Sequence, residues 1–183
     1  MPKRVLSPIV QSAKELGQVK CLTFTALMTA LNILLGTFSI PIGNIMKFNL
    51  SFIPNAILGA MYGPIPAALA SGAADVIKAI VKPTGAFFPG YTVSAILVGF
   101  LYGLFLYKDK VTLPRVIACE VTHRLLCSVL LYSVWTSMLA GEAAIWVYFP
   151  TRLLQSAIML PIAVLLVMMM QGALRQIRRR AKA

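Results

Sequence analysis

The chain has 183 residues, of which 59% are hydrophobic and only 12% are charged. Soluble domains carry roughly a quarter charged residues, so this composition excludes an ordinary soluble protein and indicates an integral membrane protein. The formal net charge of +12 is divided among separate segments instead of forming one soluble basic face, which argues against a nucleic-acid binder.

The N-terminal segment, residues 1–20, is predicted to lie on the cytoplasmic side of the membrane. Residues 4–18 alternate loosely between apolar and polar positions, which favours a short helix at the membrane surface. No convincing signal-peptide cleavage site follows, so we interpret the segment as retained. It carries four basic residues, Lys3, Arg4, Lys14 and Lys20.

The first predicted span, residues 21–40, contains no charged residue. Ala26 and Ala30 lie four residues apart on it, and small residues at that spacing let another helix approach closely within lipid. The same spacing fits packing inside the chain equally well. The following stretch, residues 39–50, contains Pro41 and Gly43 and predicts a short strand or a loop.

Two short apolar helices, at residues 51–62 and up to about residue 82, are joined by a Gly-Pro turn. We interpret them as short or tilted spans, with a re-entrant hairpin as the alternative. The second carries Asp75, Lys78 and Lys82, whose spacings place them on one helical face. Charges at membrane depth are candidates for function. The alternative is an ion pair between Asp75 and Lys78 that holds the hairpin together.

A turn-rich aromatic loop follows, in which two turn signals bracket Phe87 and Phe88. Rings held between two turns predict a stacking platform for a ligand. The alternative is the aromatic belt found at bilayer edges. Three further spans are predicted after this loop, at residues 91–107, 113–140 and 147–174, and a basic tail at 175–183 closes the chain.

The sequence therefore predicts an all-α integral membrane protein in which residues 1–183 form a single membrane domain and residues 21–174 form a bundle of six transmembrane helices. Of the 17 basic residues, 12 lie in the N-terminal segment, the connection between the fourth and fifth spans, and the tail. The positive-inside rule then predicts that the N- and C-termini are cytoplasmic. The first, third and fifth loops should face outward and form one site.

Two polar or aromatic side chains inside the last two spans are predicted to reach that site. Arg152 and Trp135 each lie about five residues from the outer end of a span, which is roughly 7 Å deep. Gln155 lies one turn below Arg152 and adds a hydrogen-bond donor and an acceptor. An arginine there suits a carboxylate ligand, although snorkelling to the interface is an alternative.

The fifth span also carries Glu120, His123 and Arg124 toward its cytoplasmic half. The spacing of four between Glu120 and Arg124 predicts an intramembrane ion pair. A proton relay that uses Glu120 and His123 is the alternative.

Three common enzyme motifs do not occur in the sequence: a phosphate-binding loop, a zinc-protease motif and a nucleophile elbow. The three cysteines lack the spacing of metal ligands. We therefore expect a binding protein that needs no metal or cofactor.

Several motifs occur in a distinctive order over residues 20–170: FNLSFIP at 48–54, YGP at 62–64, Asp75, KPTG at 82–85, FPG at 88–90, LYGLFLYK at 101–108 and RLLQSAIMLP at 152–161. Together they resemble the folate-type substrate-binding (S) components of energy-coupling factor (ECF) vitamin transporters. The cluster in the fifth span departs from that family's pattern, which leaves the exact vitamin open.

The resemblance implies a six-helix protein of the cell membrane with an outward pocket that captures a vitamin, with folate favoured. It also implies assembly with a transmembrane coupling protein and two cytoplasmic ATPases, with Ala26 and Ala30 matching the family's docking residues. Another carboxylate vitamin such as pantothenate, or a stand-alone proton-coupled carrier, is the alternative function.

Folate chemistry then divides the candidate substrate-binding residues by role. A pterin ring needs aromatic stacking and in-plane hydrogen bonds, whereas the glutamate tail needs cations. Pantothenate would use fewer of the rings. The candidates are Lys47, Asn49, Asp75, Lys78, Lys82, Phe87, Phe88, Tyr91, Trp135, Arg152 and Gln155.

Overall fold

The protein is described by a computed structural model at residues 2–38, 40–42, 46–48, 50–82, 88–107, 112–140 and 143–180. Its helices and strands are α1 (Pro2–Leu16), α2 (Val19–Thr37), β1 (Ile40–Ile42), β2 (Met46–Phe48), α3 (Phe52–Tyr62), α4 (Pro64–Val81), α5 (Pro89–Leu106), α6 (Leu113–His123), a π-helical segment (Arg124–Leu131), α7 (Tyr132–Ala140) and α8 (Ala143–Arg180).

The helical architecture agrees with the predicted spans, because long apolar runs form helices in lipid, where every backbone hydrogen bond must be satisfied within the segment. Within the described residues, five helical stretches are long and apolar enough to cross a membrane. The predicted third, fourth and fifth spans coincide with α4, α5 and the continuous helix formed by α6, the π-helical segment and α7. The predicted second span corresponds to α3, which is apolar but has only 11 residues.

Two ends of the predicted spans differ from the structure. The first helix ends at Thr37, not at residue 40, because the chain turns at Phe38 and enters a strand that contains Pro41. The last helix begins at Ala143 and continues through the basic tail to Arg180. Leucine, glutamine, arginine and alanine in that tail are all good helix formers, so nothing there stops the helix at Leu174.

The stretch predicted as a strand or loop between the first two spans forms a small antiparallel hairpin. Ile40 pairs with Phe48 and Ile42 pairs with Met46 across the two strands. This two-stranded sheet is the exception to an otherwise helical architecture among the described residues. In the chain, it lies between the end of α2 and the start of α3.

Helices α3, α4 and α5 form the tightest part of the bundle. A side chain at Gly103 of α5 would collide with the backbone of Pro64 on α4, and one at Gly99 would collide with the carbonyl of Ala67. Two glycines four residues apart thus let two backbones touch, which is the usual way in which helices associate within a membrane. The adjoining core contains Ala56, Ala60, Tyr102, Leu106, Val116, Cys119 and Val167.

Helix α1 is anchored to the turn between α3 and α4. The Ser12 hydroxyl donates to the Tyr62 carbonyl at 2.8 Å and accepts from the Ile65 amide at 3.1 Å. Gly63, which lies in this turn at φ 88°, has no space for a side chain beside Ser12. The predicted N-terminal helix is therefore confirmed and packs on the ends of the bundle helices.

Candidate functional site

Four aromatic rings meet where α5 begins beside α7. Phe88 lies 5.6 Å from Trp135 and 6.1 Å from Tyr91, measured between ring centroids. Tyr91 in turn lies 5.1 Å from Tyr132 in a tilted arrangement. Tilted and edge-on pairs at these separations are favourable for aromatic side chains. All four residues are half-buried, so the cluster keeps surface available to a ligand.

Hydrogen bonds between α5 and α7 fix the orientation of two of the rings. The Trp135 indole Nε1 donates to Ser94 Oγ at 2.9 Å. The Tyr91 hydroxyl lies 3.3 Å from Thr136 Oγ1 and shares a hydrogen bond with it. Because both bonds cross between helices, the ring positions depend on how α7 is rotated relative to α5.

Arg152 of α8 completes this group of residues. Its guanidinium carbon lies 3.6 Å from the centre of the Tyr132 ring, in a cation–π contact. Such a contact occupies the face of the guanidinium, whereas its N–H donors point outward in its plane. No carboxylate in the described part of the chain forms an ion pair with Arg152. We call Phe88, Tyr91, Tyr132, Trp135 and Arg152 the aromatic–arginine site.

Asp75 of α4 forms a hydrogen bond with α5. Its Oδ2 accepts a hydrogen bond of 2.9 Å from the Thr92 hydroxyl, next to Tyr91 in the chain. The bond holds the carboxylate against the helix that carries Tyr91.

The two lysines predicted on the same face as Asp75 point instead toward α2. Lys78 Nζ donates to Asn32 Oδ1 at 3.1 Å, and Lys82 Nζ donates to the Thr37 carbonyl at 3.1 Å. Asn32 also donates to Asn55 of α3 at 2.7 Å. The polar groups of Lys78, Asn32 and Asn55 therefore link three helices.

The remaining predicted candidates are less fully described. Gln155 lies three residues after Arg152 on α8 and is half-buried. Lys47 lies in β2, but its side chain is outside the described part of the structure, and Asn49 and Phe87 lie outside the described residues altogether.

A second polar group, the buried charge cluster, consists of Tyr102, Glu120, His123 and Arg124. Glu120 is fully buried and accepts a 2.6 Å hydrogen bond from the Tyr102 hydroxyl. Arg124 Nε lies 3.3 Å and His123 Nδ1 lies 3.9 Å from Glu120 Oε2. The predicted ion pair between Glu120 and Arg124 is confirmed. Across the described residues, no group of three or more histidine, cysteine or acidic side chains is placed to bind a metal.

Sequence reasoning missed Tyr132 and Ser94, although each lies three residues from a predicted site residue. Tyr132 precedes Trp135 by three positions, and Ser94 follows Tyr91 by three. Residues three apart share a helical face, so this spacing was a usable signal. The contact of Arg152 with Tyr132 joins two different helices, and no local pattern indicates it.

Ala26 and Ala30 lie on the exposed side of α2. The same side exposes Leu22, Leu27 and Leu34, whereas Asn32 faces the bundle. The side of α2 that faces away from the other helices is therefore apolar and includes two small residues.

Comparison with known proteins gives a consistent result over most of the chain. Residues 20–171 match the family described as "ECF transporter, substrate-specific component". A crystal structure of FolT bound with folic acid superimposes with a TM-score of 0.72, covers 80% of this chain and 88% of that chain, and is 29% identical in sequence.

Two curated relatives are similar to this chain in sequence. The folate transporter FolT of Clostridium novyi (strain NT) is 34% identical over 145 residues, which is 79% of this chain and 84% of the relative. The folate transporter FolT of Leuconostoc mesenteroides subsp. mesenteroides is 28% identical over 144 residues, or 76% and 77% of the two chains.

Proposed function

Because this chain belongs to the family of substrate-specific components of ECF transporters, we propose that it is the membrane-embedded binding subunit of an ECF-type importer and that its ligand is folate. Relatives named as folate transporters and a related structure that contains folic acid support this choice of ligand. The family is one of transporters and not of enzymes.

The observation that carries the proposal is the position of Arg152 on the Tyr132 ring. Folate has a flat pterin at one end and a glutamate with two carboxylates at the other. Stacking on Tyr132 leaves the in-plane donors of Arg152 available, and a planar guanidinium binds a carboxylate through two hydrogen bonds. The rings of Phe88, Tyr91 and Trp135 lie next to it and supply stacking surface for the flat part of the ligand.

The other candidate residues take different roles in this proposal. Asp75 supplies an acceptor at the edge of the site, where Thr92 already orients its carboxylate. Lys78 and Lys82 hold α2 against α4 through the hydrogen bonds described above. Gln155 extends the polar surface below Arg152. The loop residues Lys47, Asn49 and Phe87 stay candidates for contact with the ligand on the basis of the sequence.

The site faces the outside of the cell in this proposal, and both termini are cytoplasmic. Tyr91 lies at the start of α5 and Tyr102 near its end, which separates the aromatic–arginine site from the buried charge cluster by roughly 16 Å along the helix. The short helix α3 acts as the sixth member of the bundle, beside the five longer helices.

Energy for uptake comes from partner proteins. The chain contains no nucleotide-binding loop, so a transmembrane coupling protein and two cytoplasmic ATPases would supply it. Ala26 and Ala30 on the exposed face of α2 form the surface that docks the coupling protein, because small side chains let a partner helix approach closely. The assembly resides in the cell membrane.

Calorimetric titration of the purified chain with folate, pantothenate and a pterin that lacks the glutamate tail tests the ligand. We expect the chain to prefer folate over both of the others, because only folate uses the rings and the cation together. Preference for pantothenate would overturn the assignment of folate. Equal affinity for the pterin without its tail would overturn the role of Arg152.

Uptake assays in liposomes test the dependence on partners. We expect the chain alone neither to hydrolyse ATP nor to sustain uptake of folate. Robust uptake by the isolated chain under a proton gradient would replace the proposed mechanism with a proton-coupled carrier that uses Glu120 and His123.

A further inference from the structure

The helix that carries Tyr132 and Trp135 is not a regular α-helix. Between α6 and α7 the chain adopts π-helical geometry over Arg124–Leu131. At its end, the backbone amide of Tyr132 donates to the carbonyls of Cys127, five residues earlier, and Val129, three residues earlier. A regular α-helix would use the carbonyl four residues earlier. Such segments insert one extra residue into an α-helix, are rare, and occur frequently at functional sites.

The extra residue changes which side chains face α5. In a regular α-helix, Val134 would share the face of Val116, because Val134 follows it by 18 positions, which is about five turns. Val116 is completely buried, yet Val134 is 46% exposed.

The residues that face α5 after the segment are those expected when one residue is inserted. Trp135 follows Val116 by 19 residues instead of 18, and its indole donates to Ser94 of α5. Tyr132 and Thr136 lie on the same face and contact Tyr91. One inserted residue rotates everything after it by about 100°, which is the rotation that brings these three side chains to α5.

We propose that the π-helical segment Arg124–Leu131 is a positioning element of the substrate site, which rotates Tyr132, Trp135 and Thr136 onto α5 and places the Tyr132 ring beneath Arg152. This inference rests on the proposed binding of folate. The segment contacts no ligand itself, and it acts by setting the register of α7. A regular helix would present Leu131 and Val134 in the places of Tyr132 and Trp135, and would leave Arg152 without its ring.

The test removes the extra residue. Leu126 lies within the segment and is exposed, so its deletion removes one residue without removing a buried side chain. We expect the deletion variant to lose at least about 100-fold in folate affinity, because Arg152 and the stacking rings are displaced together. The matched control, Leu126→Ala, keeps the register and should bind folate within about threefold of the parent, as exposed substitutions usually do.

A restoring variant distinguishes the effect of rotating α7 from a general loss of folding caused by the deletion. It combines the deletion of Leu126 with insertion of one alanine between Leu131 and Tyr132, which returns the chain to its parental length and α7 to its parental rotation. We expect it to recover folate affinity to within about tenfold of the parent. If the deletion variant cannot be purified, the same alanine inserted into the parent rotates α7 by a further 100° or so and should likewise abolish binding.

A geometric measurement makes the test independent of folate. Cysteines placed at Ser94 and Trp135, in a chain whose three native cysteines are replaced by alanine, should be joined by a short bismaleimide in the parental register. The cross-link should disappear in the Leu126 deletion and return in the restoring variant.

These measurements distinguish failure of the inference from failure of the proposed function. Parental folate affinity or an unchanged cross-link in a folded deletion variant would overturn the positioning role, as would a folded restoring variant that does not bind. A parental chain that does not bind folate would overturn the proposed function, whereas the cross-link would still report the register.

Discussion

Arg124 and Arg152 lie well inside two candidate spans of this protein, and their surroundings differ in one respect. Arg124 contacts the fully buried carboxylate of Glu120 at 3.3 Å. Arg152 stacks on the Tyr132 ring at 3.6 Å, and no acidic side chain among the described residues pairs with it. The first arginine is neutralised by its own chain, and the second is only held in place.

The difference shows how a membrane protein can reserve a charge for a ligand. In a buried pair such as Glu120 with Arg124, the carboxylate already offsets the charge of the arginine, so an incoming anion gains less there. A cation–π contact contributes about 0.5–2 kcal/mol and neutralises nothing, so an incoming carboxylate still gains the full interaction. We therefore expect substitutions in the two regions to change different properties, the stability in one and the affinity in the other.

The largest expected effect is on stability, at the buried charge cluster. Arg124→Gln leaves the Glu120 carboxylate buried without its cation and should lower the free energy of unfolding by about 3–5 kcal/mol. Denaturation of the purified protein in detergent measures this loss, and titration should show nearly parental folate affinity in the folded fraction.

The matched control neutralises both partners. The double variant Glu120→Gln with Arg124→Gln should recover most of the stability, because removing both charges is far less costly than isolating one. If the single Arg124→Gln variant is as stable as the parent, Arg124 does not offset the buried charge of Glu120.

Arg152→Ala should give the opposite result. It removes a paired hydrogen bond to an anion in a partly desolvated site, at about 2–4 kcal/mol or roughly 30- to 1000-fold in folate affinity. The stability of the ligand-free protein should change little, since no internal charge loses a partner. Folate binding by this variant at parental affinity would show that Arg152 does not bind the ligand, and the proposed difference between the two arginines would be wrong.

A smaller loss should follow from removing one ring. Phe88→Ala should cost about 1–3 kcal/mol in folate affinity, by analogy with bases stacked on aromatic side chains. Phe24→Ala is the control, because Phe24 forms a ring pair with Tyr62 at 5.4 Å elsewhere in the bundle. Calorimetry should find parental affinity for Phe24→Ala, and equal losses in both variants would indicate a general loss of packing.

The smallest effect on either region should come from the exposed face of α2. Ala26→Leu or Ala30→Leu adds bulk where a partner helix would approach and should weaken co-purification with the coupling protein. Stability and folate affinity should both stay near parental values. Ala157→Leu makes the same change on the exposed side of α8 and should leave assembly intact, so an equal loss there would contradict the docking assignment.

The sequence was most informative where physical rules are local. The long apolar runs predicted the helices because lipid requires every backbone hydrogen bond to be satisfied within the segment. The spacing of four between Glu120 and Arg124 predicted their ion pair, which is also a local effect, since one helix turn brings the two side chains together. Phe88 and Trp135 were identified from their positions relative to turns and helix ends.

What the sequence did not reveal depends on tertiary contacts or on a register change. Residues 125–131 are almost all apolar, so hydropathy is the same whether the helix there is regular or contains one extra residue. The partner of Lys78 is Asn32, which is 46 residues away on another helix. Only the packing of α2 against α4 brings these two side chains within hydrogen-bonding distance.

The hydrogen bond that fixes the Trp135 indole also provides the protein with an optical reporter. The chain has two tryptophans, so Trp146→Phe leaves Trp135 as the sole source of tryptophan fluorescence. Its ring is held between Ser94 and Phe88, next to the site proposed for a pterin. Pterins absorb in the region where tryptophan emits, so occupancy of the site should quench this emission by energy transfer. Binding to and release from the purified chain can then be followed in real time without attaching any dye.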